Sequence, residues 1–374
     1  MNLFDIPLDI LKEIFEFSDF ITKIRFRQIC RYSYNNLHII DFYNLEENYL
    51  KKLTNNILKK HKFIKYLNAN YNENITDVSW MKNLKELYAS GSCGIDQLGI
   101  KELDLITLDA WNNDKITDVN WMKNLKELNA GYSEIDQKNI QGLDLIKLNT
   151  SDNPKIKNVS FMKNLKELYA SGNCGIYQSA IEGLDLIKLS ASNNPKIKNV
   201  SFMKNLKELY ANGDCGIDQM GINGLDLIKL IASNNLKIKD VSFMKNLKEL
   251  NVRDYSGINQ IGIKGLNLIK LNAINNSKIK DVSFMKNLTQ LDASGTCGIN
   301  QMGIKGLDLI KLYANFNSKI NDVSFMKNLK ELYAVNKCGI DQEGIKGLDL
   351  IRLNARDNNK IKDISFMKNL NIFR

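Results

Sequence analysis

Histidine, proline and tryptophan are scarce in this 374-residue sequence, which has two, three and three of them respectively. The two histidines, His38 and His61, have no catalytic partner at a recognisable spacing. No glycine-rich phosphate-binding loop and no metal-ligand cluster is present in the sequence. We therefore expect a protein that is not an enzyme, with no catalytic residues, no metal and no cofactor.

Long apolar runs are also missing. No stretch of 18 apolar residues occurs, so the sequence predicts no membrane-spanning helix. Residues 1–5 contain an acid and lack the basic start of a secretory signal. These features predict a cytoplasmic or nuclear protein.

The six cysteines do not suggest disulfides. Five of them occupy the same place in a repeated pattern, each followed by Gly and Ile: Cys93, Cys174, Cys215, Cys297 and Cys338. Strands in a sheet are about 4.8 Å apart, so cysteines two strands apart are separated by roughly 10 Å. A disulfide needs Cα atoms within about 7 Å, and we expect reduced, packed thiols.

The net charge of +10 raises the question of nucleic-acid binding. Lysines recur in columns, but each flanks an apolar residue and no aromatic residues are interleaved with them. This arrangement is typical of a solvated rim, and nucleic acid is not expected as a partner.

What the chain does have is a repeat. Met-Lys-Asn-Leu occurs eight times, about every 41 residues, at Met81, Met122, Met162, Met203, Met244, Met285, Met326 and Met367. Each 41-residue segment contains two copies of Leu-x-x-Leu-x-Ala, so the true period is 20 or 21 residues. The copies begin at Ile64, Leu84, Leu105, Leu125, Leu145, Leu165, Leu186, Leu206, Leu227, Leu247, Leu268, Leu288, Leu309, Leu329 and Leu350, with a truncated copy at Leu370.

This period and pattern resemble the leucine-rich repeat. Every second copy has Asn at its ninth position, where its side chain can satisfy the backbone groups of a turn. The Asn column comprises Asn72, Asn113, Asn153, Asn194, Asn235, Asn276, Asn317 and Asn358. The predicted fold is an α/β solenoid over residues 64–374, an arc of short parallel strands with about 15 coils of 20–21 residues.

Residues 1–45 lie outside the repeat and have a different pattern. They contain Ile-Pro-Leu-Asp-Ile-Leu at 6–11 and Ile-Cys-Arg at 29–31. Pro7 suits the start of a helix, and this segment resembles an F-box, although the Trp that usually follows the Cys is absent. Residues 46–63 are polar and predict a helical connector or N-terminal cap.

The whole chain is therefore similar to F-box and leucine-rich-repeat proteins, of the type found in large DNA viruses and AT-rich protists. The resemblance implies a substrate-recognition subunit of a Skp–cullin–F-box type ubiquitin ligase, located in the host cytoplasm if the chain is viral. The residues that the resemblance assigns to the Skp-type adaptor are Pro7, Ile10, Leu11, Ile14, Phe15 and Ile29. The alternative is a repeat scaffold with no ubiquitin link, in which the amino-terminal helices only cap the solenoid.

The solvent-facing side of the strands is the expected surface for a target protein. Glu and Lys alternate at the third position of successive copies, which predicts a self-neutralising charge ladder. Positions that break the internal consensus are candidates for target binding, because exposed aromatic and Arg residues are common in interface hot spots; sequence drift is the alternative. These candidates are Trp111, Tyr132, Arg253, Ile274, Phe316, Val335 and Arg356, beside Asp254 and Asp357.

Overall fold

The structure is a computed structural model that describes residues 6–29 and 31–373, without the side chains of residues 32, 372 and 373. The chain forms two compact units, residues 1–165 and residues 166–374. Each unit is a parallel-strand solenoid, and the first unit also contains the amino-terminal helices.

Five helices lie in the first unit: α1 (Leu8–Phe17), α2 (Phe20–Gln28), α3 (Arg31–Asn36), α4 (Glu47–Leu50) and α5 (Asn55–Leu58). Pro7 precedes α1 as its N-cap, as the sequence predicts. Asp19 caps α2, because its carboxylate accepts a hydrogen bond of 2.9 Å from the backbone N–H of Thr22. No helix in the described ranges has the length and apolar character needed to cross a membrane.

The strands are short and pair in chain order within each unit. The first unit contains β1 (Asp41–Phe42), β2 (Tyr66–Asn68), β3 (Glu86–Tyr88), β4 (Thr107–Asp109), β5 (Glu127–Asn129) and β6 (Lys147–Asn149). The second contains β7 (Glu167–Tyr169), β8 (Lys188–Ser190), β9 (Glu208–Tyr210), β10 (Lys229–Ile231), β11 (Glu249–Asn251), β12 (Lys270–Asn272), β13 (Gln290–Asp292), β14 (Lys311–Tyr313), β15 (Glu331–Tyr333), β16 (Arg352–Asn354) and β17 (Ile372–Phe373). A three-residue strand, β2 to β16, lies in each of the 15 full copies predicted from the repeat, which confirms the predicted period.

Each coil buries one set of apolar side chains. In the coil that starts at Leu105, this side chain and those of Leu108, Ala110, Ile116 and Val119 are at most 1% exposed. Each large side chain contributes about 1.5–3 kcal/mol when buried, but one coil covers only one side of its neighbour. Stability therefore accumulates from coil to coil.

The predicted Asn column forms a buried hydrogen-bond ladder. The Nδ2 of Asn113 donates to the carbonyl oxygens of Ala89 (2.8 Å) and Ile95 (3.1 Å) in the preceding coil. Its Oδ1 accepts from the N–H of Lys115. The same pattern recurs at every second coil, so each Asn satisfies backbone groups that would otherwise be buried without partners.

A second amide ladder, which the sequence analysis missed, lies in the alternate coils. The Oε1 of Gln219 accepts from the N–H groups of Lys239 and Asp240, and its Nε2 donates to the carbonyl of Asp240. Equivalent bonds are made by Gln97, Gln137, Gln178, Gln260, Gln301 and Gln342. Asn and Gln thus alternate as the side chains that tie one coil to the next.

From Gln137 onward, a short 3₁₀ turn follows this Gln or includes it. The turns are Gln137–Ile140, Gln178–Ala180, Met220–Ile222, Ile261–Ile263, Met302–Ile304 and Glu343–Ile345. Gly221 shows why glycine recurs here: a Cβ at this position would lie 2.2 Å from the carbonyl oxygen of Lys198.

The solenoid begins before the first predicted repeat. Strand β1 pairs with β2 in parallel, with Asp41 opposite Tyr66 and Phe42 opposite Leu67. Residues 39–63 form an additional coil, in which Leu53 and Leu58 are buried. Residues 46–63, for which the sequence predicts a helical connector or N-terminal cap, lie within this coil and contain α4 and α5.

Candidate protein-interaction surfaces

Helix α1 is apolar on two faces. Leu11 and Phe15 are 3% and 4% exposed and point into the unit. Ile10, Ile14 and Phe17 are 46%, 42% and 92% exposed, at helical spacings that place them on one outward face. A helix with apolar residues on both sides presents one face that residues 6–29 and 31–373 leave exposed.

The six residues assigned to the adaptor by resemblance therefore separate into two groups. Pro7 and Ile29 are exposed, as are Ile10 and Ile14. Leu11 and Phe15 are buried, so a partner cannot contact them in this structure. They hold α1 in place. Cys30, which completes the sequence motif, lies outside the described residues.

The helices pack directly on the additional coil. The rings of Phe20 and Phe42 meet edge to face with centroids 5.3 Å apart, and Phe42 meets His61 at 5.0 Å. Phe42 therefore contacts both α2 and the first coil, so the helices and the solenoid share an apolar surface.

The strand faces carry the predicted charge ladder. The residues on either side of the buried central Leu of each strand point to solvent on the same face. In the first unit, Lys147 pairs with Glu127 at 3.4 Å. In the second, Lys188 pairs with Glu208 at 3.2 Å, and Lys229 and Lys270 lie 3.2 and 3.0 Å from the shared Glu249.

Gln290 breaks this alternation in the second unit. It stands on β13 between Lys270 and Lys311, at the place of a Glu. Lys311 pairs with Glu331 at 2.9 Å on its other side. The ladder thus lacks one negative charge at Gln290.

A row of tyrosines runs beside the ladder in the second unit. The ammonium of Lys188 lies 5.5 Å from the ring centroids of both Tyr169 and Tyr210. The rings of Tyr313 and Tyr333 stack at 4.3 Å with Lys311 over both of them. These rings are rigid and amphipathic, which suits them to recognition of another protein.

The electrostatics of these lysines favour a permanent charge. Burial lowers the pKa of Lys188, but hydrogen bonds with Tyr169 and Glu208 outweigh that effect and raise it overall. Hydrogen bonds with Tyr313 and then Glu331 raise the pKa of Lys311. Both side chains therefore remain cationic throughout the physiological range.

A depression of about 340 Å³ lies between the two tyrosine groups. Smaller side chains form its floor: Ile231, Asn251, Asn272 and Asp292 follow the central Leu on strands where Tyr is absent. Burial raises the pKa of Asp292, and hydrogen bonds from Ser294 only partly offset this effect. The depression has room for a side chain of a partner.

The consensus-breaking residues lie at the carboxyl ends of the strands, in two groups. In the first unit, Trp111 and the exposed Tyr132 meet edge to face at 5.8 Å. In the second, Arg253 and Arg356 are exposed and pair with Asp254 and Asp357 at 3.2 and 3.5 Å.

The remaining candidates of the second unit occupy neighbouring coils. The N–H of Asp254 donates to the carbonyl of Ile274, and that of Phe316 to the carbonyl of Val335. Phe316 is 58% exposed, whereas Ile274 and Val335 are half-buried. Of these three, Phe316 offers the largest apolar contact.

The sequence analysis missed Phe17 and the strand tyrosines. The tyrosines keep the internal consensus, since Leu-Tyr-Ala recurs in several copies, and a search for departures from consensus passes over them. Strand alternation was the available signal, because a residue next to the buried Leu must face solvent.

A comparison with known protein families gives a match at the amino-terminal end of the chain. The profile of the F-box domain matches residues 3–44. No curated protein matches the sequence significantly.

Solved structures match at low identity. The crystal structure of the TLR13–ssRNA13 complex has 17% identity and a TM-score of 0.48, covering 85% of this chain and 48% of that one, so the chain spans about half the length of this match. The Rad7 and Elc1 complex in yeast has 17% identity and a TM-score of 0.44, covering 94% and 96%. The Leptospira interrogans LRR protein LIC12759 has 18% identity and a TM-score of 0.36, covering 96% and 87%. From the F-box match and the coils described above, the chain carries an F-box domain at residues 3–44 and a leucine-rich-repeat-like solenoid.

Proposed function

We propose that this protein is the substrate-recognition subunit of a Skp–cullin–F-box type ubiquitin ligase. The observation that carries the proposal is the F-box match at residues 3–44 together with the uncovered apolar face of α1. The F-box domain would bind a Skp-type adaptor and the solenoid a target protein. The chain itself would be non-catalytic and act in the cytoplasm or nucleus, while another subunit transfers ubiquitin.

The outward face of α1 supports adaptor binding. Ile10, Ile14 and Phe17 expose apolar surface that folding leaves uncovered. Burial of such side chains contributes about 1.5–3 kcal/mol each, enough for a few of them to dominate an interface. Exposed Pro7 and Ile29 are the remaining candidates for this contact.

The strand face of the second unit supports target binding. Its tyrosine and lysine side chains hold one another in place, so they lose little conformational freedom when a partner binds. Ion pairs neutralise most of the ladder. This face therefore does not present the continuous positive charge that binds the phosphates of a nucleic acid. A protein partner that presents apolar and polar side chains fits it better.

A repeat scaffold without a ubiquitin link is the second candidate. The contact between Phe20 and Phe42 favours it, because Phe20 of α2 packs against the strand of the first coil. The capping contact is made by Phe20 of α2, however, and the exposed apolar face belongs to α1, so the two roles do not compete.

The two candidates are separated by binding of a purified Skp-type adaptor to the full-length chain, followed by addition of a cullin. We expect co-elution in size-exclusion chromatography, and loss of the complex in the double variant Ile10→Asp with Ile14→Asp. The matched control is Ile146→Asp with Ile106→Asp, because these side chains are also 46% and 42% exposed but lie in the repeats.

The control pair should leave adaptor binding unchanged, and circular dichroism should show both double variants folded. If the wild-type chain does not bind the adaptor at micromolar concentration, the scaffold is the better description. Equal loss in both double variants would mean that binding does not depend on α1.

A further inference from the structure

The first unit contains a pocket that the proposed function does not use. It has a volume of about 290 Å³ and lies where helices α2 and α3 meet the end of the additional coil. Its lining consists of Arg27, Tyr34, Asn35, His38, Lys60, Lys62 and Phe63.

Arg27 is the unusual member of this lining, because it is only 8% exposed and has no carboxylate partner among the described residues. Its Nη1 lies 2.9 Å from Nδ1 of His61, and its Nη2 donates to the carbonyl oxygen of Tyr34 at 3.3 Å. Its Nε is buried and has no hydrogen-bond partner in the described part of the chain. A buried guanidinium in this condition is costly unless an anion accompanies it.

The surrounding charges have the same sign. Lys60 and Lys62 line the pocket, and neither forms an ion pair with a described residue. Burial, then Arg27 and Lys12, lowers the pKa of His38, while burial, then Arg27 and Lys60, lowers that of His61 to about 4. The described lining of the pocket therefore carries positive charge and contains no carboxylate.

We propose that this pocket binds the phosphate group of a small phosphate monoester. The two lysine ammonium groups supply donors for the phosphate oxygens, and the buried guanidinium of Arg27 supplies a fixed positive charge beside them. The proposal is independent of the ubiquitin-ligase role.

The size of the pocket and its aromatic members argue for an ester over the free ion. A volume of about 290 Å³ is many times the roughly 10–15 Å³ that one water needs, and far more than inorganic phosphate fills. Phe63 and Tyr34 are 42% and 51% exposed and offer apolar surface to the organic part.

The test is isothermal titration calorimetry of the full-length chain with three probes: inorganic phosphate, phenyl phosphate and a capped phosphoserine peptide. We expect saturable binding of phenyl phosphate with a dissociation constant below about 1 mM, and weaker binding of inorganic phosphate. Tighter binding of the peptide than of phenyl phosphate would identify the source as a phosphorylated protein, and the reverse a free metabolite. No saturable binding of any probe up to about 10 mM overturns the proposal.

Two sets of variants locate the site. Lys60→Gln with Lys62→Gln should weaken phenyl phosphate binding by about tenfold or more. The control, Lys59→Gln with Lys65→Gln, removes the same charge from exposed neighbours outside the lining and should leave the affinity unchanged. Equal weakening by both pairs would mean a diffuse charge effect and overturn the site.

Arg27→Gln should have a larger effect than the lysine variants. If this variant folds, it should abolish phenyl phosphate binding. NMR provides a second readout, because a bound phosphate should raise the pH midpoints of the His38 and His61 imidazoles. Calorimetric binding without any change at these imidazoles would place the ligand elsewhere and overturn the proposal.

Discussion

Arg27 and His61 join the F-box helices to the first coil of the solenoid through a hydrogen bond of 2.9 Å. A guanidinium can only donate, so Nδ1 of His61 accepts and the ring is neutral with its proton on Nε2. Protonation of His61 would remove this bond and place a second positive charge beside a buried one.

The first prediction concerns stability at acidic pH. Burial, then Arg27 and Lys60, lowers the pKa of folded His61 from 6.5 to about 4. As the pH falls below 6.5 the unfolded chain binds this proton first, so stability present above pH 6.5 is lost between pH 6.5 and 4. We expect a loss of about 1–2 kcal/mol from this group, less than full linkage because the ring is partly exposed.

Urea unfolding of the wild-type chain and of His61→Gln at pH 7 and pH 5 measures the contribution of His61 to the free energy of unfolding. The variant cannot titrate at this position, and the carboxylates contribute equally to both proteins. An identical pH dependence in the two proteins would contradict the assignment to His61.

The second prediction concerns the Asn ladder. Asn235→Ala removes two bonds to the carbonyls of Ala211 and Ile217 and two from the N–H groups of Lys237 and Ile238. Buried groups left without partners cost about 1–3 kcal/mol each, and we expect a total loss of about 3 kcal/mol in urea unfolding. Asn223→Ala, at an exposed position, is the control and should stay within about 0.5 kcal/mol of wild type.

The third prediction concerns Gln290. Replacement by Glu restores a negative charge between Lys270 and Lys311 and should stabilise the second unit by up to about 1 kcal/mol. The gain should shrink at high salt, because exposed pairs are screened. Gln290→Met is the neutral control, and an equal gain in Met and Glu variants would show that charge is not the cause.

The repeat made much of the fold predictable. Strict recurrence at 20–21 residues determined where each strand begins. The recurring Asn predicted the buried hydrogen-bond ladder, and the alternating Glu and Lys predicted the charge ladder. Residues 39–63 were missed because they lack the Leu-x-x-Leu-x-Ala pattern and form a longer coil whose central strand residue is Phe42.

The candidate surfaces were harder to predict. Helical periodicity shows that Ile10, Leu11, Ile14 and Phe15 are close together, but it cannot tell which side the chain itself covers. That division depends on tertiary packing, such as the edge-to-face contact of Phe15 with Phe26. The pocket at Arg27 was equally invisible, because its lining comes from helices and a coil whose packing the sequence did not reveal.

The last prediction concerns the cysteine column. Cys93, Cys174, Cys215, Cys297 and Cys338 are all fully buried. Burial raises the pKa of Cys93, Cys215 and Cys297 to about 11, so only about one in a thousand would be a thiolate at pH 8. We expect iodoacetamide to leave all five unmodified in the native chain and to modify them in denaturant without a reductant, as measured by peptide mass mapping. Rapid native labelling of Cys215 would mean that its coil opens locally, and a crosslinked Cys174–Cys215 peptide would contradict the reduced state.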